Sequence, residues 1–186
     1  QKKIKMKNLQ LLSVIICATL LFAACSGKKD DAKNGNLSAT GVFSSDLEAT
    51  GWINQYTLSK DAAHSGRYSS RVDSVNQFSF GFKESVSIIG DTIPKKANID
   101  FWVLYPQAGI KSTIVLSVDS CEKNIFWFGT PLIDSVKTTA KWQQIKASVN
   151  LPENIMPTDK ISVYVWNNDK KTFYIDDLTV SFENKK

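Results

Sequence analysis

Apolar residues recur at every second position through most of this chain. Phe78, Phe80 and Phe82 alternate with Ser79 and Gly81, and Ile99, Phe101 and Val103 with Asp100 and Trp102. Ile114, Leu116 and Val118 alternate with Val115 and Ser117, and Ile161, Val163 and Val165 with Ser162 and Tyr164. Successive side chains of a strand point to opposite sides, so a period of two sets one apolar row against a core. Further strands are expected near 52–59, 67–73, 124–128, 141–149 and 172–182. Gly90-Asp91, Pro106-Gln107-Ala108-Gly109 and Asn167-Asn168-Asp169 interrupt the pattern as turns. Helix is expected only as a turn or two near 134–138. About nine short strands without an amphipathic helix predict an all-β fold, two antiparallel sheets packed as a sandwich.

The first two dozen residues differ from the rest. Lys2, Lys3, Lys5 and Lys7 precede an apolar or small run over 11–24. That run is shorter than the roughly 20 residues a membrane-crossing helix needs, and it has the layout of a secretory signal. It ends in Leu21-Phe22-Ala23-Ala24-Cys25, which resembles the lipobox of bacterial lipoproteins; Phe22 departs from the smaller aliphatic residue usual there. The resemblance implies cleavage before Cys25 and acylation of its thiol. Residues 26–38 are polar and read as a tether. The expected division is a signal peptide over 1–24, a lipid-anchored linker over 25–39 and a β domain over 40–183. Such a chain would sit on a membrane of the bacterial cell envelope, with the outer membrane expected.

Without its leader the chain is almost neutral, because residues 1–24 supply four lysines and no acid towards a formal net charge of +5. A nucleic-acid partner is therefore not expected. Of three cysteines, Cys17 lies in the leader, Cys25 would carry lipid and Cys121 stands alone. No disulfide can brace the mature domain, so its stability must come from packing.

Catalytic parts are scarce. His64 is the sole histidine, and there is no Gly-x-Ser-x-Gly elbow, phosphate loop or His/Cys metal cluster. Asp176 and Asp177 are adjacent, so on a regular strand they point to opposite faces and cannot flank one glycosidic bond. A non-catalytic protein is expected.

Three segments carry a resemblance. They are Ser65-Gly66-Arg67-Tyr68-Ser69 opening a strand, Glu48 close to the start of the domain, and Phe173-Tyr174-Ile175-Asp176-Asp177-Leu178-Thr179-Val180 near its end. With Trp142 between them, this order resembles the galactose-binding-like jelly roll, especially carbohydrate-binding modules of the xylan- and glucan-binding type. The likeness extends over residues 40–182. It implies a poly- or oligosaccharide partner and a structural calcium ion tying the first strand to the last. Glu48 and Asp176 would be its carboxylate ligands, completed by backbone carbonyls near residues 64–67. Asp176 is expected inward with Leu178 and Val180, where a carboxylate needs a partner or a metal. Hydrogen bonds from the Ser-Gly turn are the other way to supply that partner.

Sugar rings stack on aromatic side chains, with polar groups nearby to receive their hydroxyls. The candidate contacts are Trp52 and Tyr56 around Asn54, Trp102, Trp127 after Asn124, and Tyr164 with Trp166 on the polar face of one strand. Trp142 is expected in the core. The competing expectation is a structural or protein-interaction module docking a partner in an envelope complex.

Overall fold

The computed structural model describes residues 41–184. The expected signal segment, Cys25 and the linker lie outside the described residues. The strands are β1 (Val42–Ser45), β2 (Leu58–Ser59), β3 (Ser69–Val72), β4 (Phe82–Ser85), β5 (Lys96–Leu104), β6 (Ser112–Ser120), β7 (Lys123–Pro131), β8 (Trp142–Asn150), β9 (Lys160–Asn167) and β10 (Phe173–Glu183). A six-stranded sheet runs β2-β3-β10-β5-β8, with β1 also on β10, and a four-stranded sheet runs β4-β9-β6-β7. Every pairing in both is antiparallel. The all-β, two-sheet sandwich expected from the alternation is the observed fold. Among the described residues no helix is long and apolar enough to cross a membrane.

The inward rows meet in one core. Phe43, Ile99, Phe101, Val103 and Val180 come from the larger sheet; Phe82, Ile114, Leu116, Ile161 and Val163 come from the smaller, all essentially without exposure. Phe82 lies at the centre of an aromatic group, 5.0 Å from Phe43 and 5.7 Å from Phe182 between ring centroids. Trp52 completes it, stacked 5.8 Å from Phe80 and edge-on 5.4 Å from Phe82.

Trp52 is thus 7% exposed and not the platform expected of it. No strand runs through 52–57. Ile53 exchanges both backbone hydrogen bonds with Gly81, then Asn54 turns left-handed (φ 61) into a 3-10 turn over Gln55–Thr57. The turn sends Trp52 inward and leaves Tyr56 67% exposed. The helix expected near 134–138 is also absent: that segment is a turn in which Ser135 and Val136 donate to the Leu132 carbonyl. The one short α-helix among the described residues is α1 (Val86–Ile89).

β10 carries a bulge between Asp176 and Thr179, with Asp177 at φ 49. One extra residue reverses the parity of everything before it. Ile175 and Leu178, three positions apart, therefore both enter the core. Asp176 falls beside Trp102 in the ladder, on the outer face, and not inward with Leu178 and Val180 as expected. It is nonetheless fully buried, because the loop containing His64 and Ser65 lies over it.

Because Phe82 joins both sheets, Phe82→Ala should cost about 3–5 kcal/mol in a denaturant titration. Trp127→Ala, on an exposed surface, should stay within about 0.5 kcal/mol of the parent.

Candidate functional site

The outer face of the four-stranded sheet holds a groove of about 340 Å³. Its floor follows the ladder. Lys83 of β4 is opposite Ser162 of β9, Ser162 opposite Ser117 of β6, and Ser117 opposite Trp127 of β7. These outward residues alternate with the core row, so the packing that fixes Ile161 and Val163 inside also fixes Ser162 and Tyr164 outside.

Glycines make room beside two aromatics. Gly129 shares a strand face with Trp127, and the indole lies across it; a Cβ at position 129 would overlap the ring. The indole therefore leans over the glycine on β7 and is 52% exposed. At Gly81 a Cβ would overlap the Val163 carbonyl and come within 2.8 Å of the Tyr164 Cβ, so only glycine lets β9 pass this close. Phe78, 42% exposed, meets the Tyr164 ring edge-on at 5.6 Å. Burial, with a smaller contribution from the Asp119 charge, raises the Tyr164 pKa and keeps the phenol protonated.

Polar groups ring these aromatics. Asn54 donates from Nδ2 to the Ser79 carbonyl at 2.8 Å, and its Oδ1 accepts from the Tyr56 hydroxyl at 3.2 Å. Asn124 donates to Asp119 Oδ1 at 3.1 Å. The Ser162 hydroxyl lines the groove, is buried and has no hydrogen-bond partner.

On the other sheet, the loop before β3 is held by three carboxylates. Asp176 Oδ2 accepts from the amides of His64 at 2.6 Å and Ser65 at 3.2 Å, and Oδ1 accepts from Asp177 at 2.8 Å. Glu48 Oε1 accepts from the amides of Arg67 at 2.5 Å and Tyr68 at 2.8 Å. Gly66 (φ 58) passes so close to Glu48 that a side chain there would overlap the carboxylate. Asp177 accepts from Ser65 Oγ at 2.6 Å and sits 2.5 Å from His64 Nδ1. The His64 ring then stacks on Trp102 at 3.8 Å and meets Trp142 edge-on at 5.7 Å.

Glu48 and Asp176, the expected calcium ligands, both hold the loop before β3. Calcium takes six to eight oxygens. Both carboxylates accept from backbone N–H groups, and Glu48 Oε2 lies 3.7 Å from Arg67 Nε. Among the described residues no group of three or more His, Cys, Asp and Glu could hold a metal. The backbone of the Ser-Gly turn supplies hydrogen bonds to both carboxylates.

The expected aromatics therefore separate. Trp127 and Tyr164 line the groove, and Tyr56 touches its rim through Asn54. Trp166 is on the same face farther along β9, 36% exposed, bridged to Phe78 and outside the groove. Trp102 lies on the other sheet, under His64, and Trp52 is in the core. Trp142, expected in the core, is half-buried on that same outer side. Lys83, Ser117, Ser162 and Phe78 were not anticipated as groove residues. Phe78 shares the parity of Phe80 and Phe82, but the Ser79 hydroxyl takes the Val165 N–H at 2.9 Å and breaks the regular ladder there.

No protein-family model and no curated protein sequence matches this chain. Among solved structures it is similar to the N-terminal CBM22-1-CBM22-2 tandem domain of Paenibacillus barcinonensis Xyn10C. The TM-score is 0.54 at 15% identity, over 84% of this chain and 52% of that one. The CBM22-1 xylan-binding domain of Xyn10C alone gives 0.48 at 12% identity, over 77% of this chain and 94% of that one. The CBM22-1-GH10 modules of Clostridium thermocellum Xyn10B, solved with xylohexaose, give 0.45 at 15% identity, over 80% and 27%. At such identities the likeness is one of architecture. The domain is a two-sheet β-sandwich, a jelly roll, with the architecture of that tandem domain.

Burial pushes the Asp176 carboxyl up to about 6; the amides of His64, Asp177 and Ser65 pull it down, and the Asp177 charge adds to the rise. A folded-state pKa above the unfolded value means that the folded state binds the proton more tightly. The stabilisation from this group is thus complete at pH below about 4 and is lost as pH rises through about 6. Carboxyl NMR should show Asp176 titrating near 6. The part of the melting-temperature gain between pH 7.5 and 5 that comes from this group should vanish in Asp176→Asn.

Proposed function

We propose that this domain binds a poly- or oligosaccharide, without cleaving it, in the groove on its four-stranded sheet. The observation that carries the reading is the Trp127 indole, seated over Gly129 and 52% exposed. A pyranose presents an apolar C–H face that suits such a surface, and its hydroxyls suit the surrounding Asn54, Asn124 and Ser117. The ring is already in position before any ligand arrives, so little ordering entropy is lost on binding. Binding without hydrolysis is favoured because Asp119 is the one carboxylate lining the groove among the described residues, and glycoside hydrolysis ordinarily needs two.

The same proposal places the domain on the cell envelope, as a lipoprotein anchored through Cys25, with the outer membrane as the expected site. It rests on the lysine-led apolar segment and the lipobox-like Leu21-Phe22-Ala23-Ala24-Cys25. Acyl chains contribute about 0.8 kcal/mol per buried CH₂, so more than one on a cysteine gives durable attachment.

Native affinity gels cast with a panel of plant, algal and bacterial polysaccharides should retard the domain on at least one. Trp127→Ala should weaken that binding about 10- to 100-fold, about 1.4–2.8 kcal/mol. Gly129→Val should weaken it too by tilting the indole, and Trp102→Ala, on the other sheet, should not. Retardation by no polysaccharide would defeat the reading in favour of a protein-docking module.

The anchor is checked separately. In cells, Cys25→Ser should move the full chain from the membrane fraction to the soluble one. Recovery of the parent protein with an unmodified Cys25 thiol would remove the anchor.

A further inference from the structure

The floor of the groove is chemically lopsided. Along the ladder row Lys83, Ser162, Ser117 and Trp127, the indole stands at one end and an ammonium at the other. Adjacent strands are about 4.8 Å apart, so the row spans about 14 Å. The Lys83 side chain is exposed and its ammonium takes part in no ion pair with another described residue. Asp119, the carboxylate in the groove, is engaged by Asn124 and lies two residues beyond Ser117, towards the β6–β7 turn. Next to Lys83, the Ser162 hydroxyl is 3% exposed and unpartnered.

A buried hydroxyl without a partner is unfavourable and is relieved by any acceptor that reaches it. A neutral sugar hydroxyl could serve Ser162, but it would strip water from Lys83 and return little. An anionic oxygen serves both, because it accepts from the hydroxyl and makes a charge-assisted hydrogen bond to the ammonium. The pair is thus matched to a ligand that is apolar where it covers Trp127 and negatively charged three strands away.

Resting on the glycan-binding reading, we infer that the groove selects acidic glycans, with Lys83 and Ser162 receiving a carboxylate or sulfate substituent. Lys83 is then the residue that sets specificity, and Trp127 supplies binding common to charged and neutral chains.

The test uses a uronate-bearing xylan and the same polymer after its carboxyl groups have been reduced to alcohols, with a sulfated galactan and its desulfated form as the second pair. Calorimetry or affinity gels should show about tenfold tighter binding to the charged member of at least one pair. Preference within the first pair identifies a carboxylate as the substituent; preference confined to the second identifies sulfate. Lys83→Met should reduce affinity for the charged polymer to that for its neutral counterpart, and Lys83→Arg should restore the difference. Raising salt from 50 to 500 mM should erode the preference of the parent protein. Equal binding within both pairs, or a preference that survives Lys83→Met, would overturn the inference and leave glycan binding standing. Binding to none of the four, nor to the wider panel, would remove the glycan reading itself.

Discussion

The six-stranded sheet depends on a change of partner partway along β10. Its first residues, Phe173 to Ile175, pair with β3; from Leu178 to Ser181 it pairs with β1; β5 runs along its other edge through both stretches. Asp176 and Asp177 occupy the changeover, where the ladder on one side has no strand to bond. Their carboxylates take over that role. They gather the amides and the hydroxyl of the loop before β3 and, with Glu48, tie the start of the domain to its end. A ladder interruption that would otherwise expose backbone groups has become the means of closing the sheet.

The two outer faces then follow different rules. On the six-stranded sheet the largest aromatic surface, Trp102, is already taken by His64, and Asp100 is engaged by Gln144 and Lys146. On the four-stranded sheet the Trp127 indole is 52% exposed, the Lys83 ammonium has no ion pair among the described residues, and the Ser162 hydroxyl is unpaired. Saturated contacts mark structure; unsaturated ones mark the place where another molecule is awaited. This contrast, more than the presence of aromatics, separates the groove from the rest of the surface.

Alternation made the sandwich legible before any coordinates, because β5, β8 and β9 hold their parity over eight or nine residues. It failed where parity breaks. Counting back from Leu178 puts Asp176 inside, but the extra residue at Asp177 turns it out. Counting from Phe80 puts Phe78 inside, but the Ser79 hydroxyl intervenes. The left-handed Asn54 turned Trp52 into core and separated it from Tyr56. Within the site, Tyr164 and Trp127 could be read from single strands. The row from Lys83 to Trp127 could not, since it exists only through the register of β4 and β9 with the β6–β7 hairpin. Trp127-Phe128-Gly129 did hold a local signal, a glycine two places after a tryptophan.

That glycine has a consequence for how such domains diversify. The attitude of the indole is governed by a hydrogen atom in place of a methyl on a neighbouring residue. Recognition can therefore drift through positions that never touch the ligand. Comparing only the aromatic residues of related sandwiches would score two proteins as equivalent although one presents its ring broadside and the other on edge.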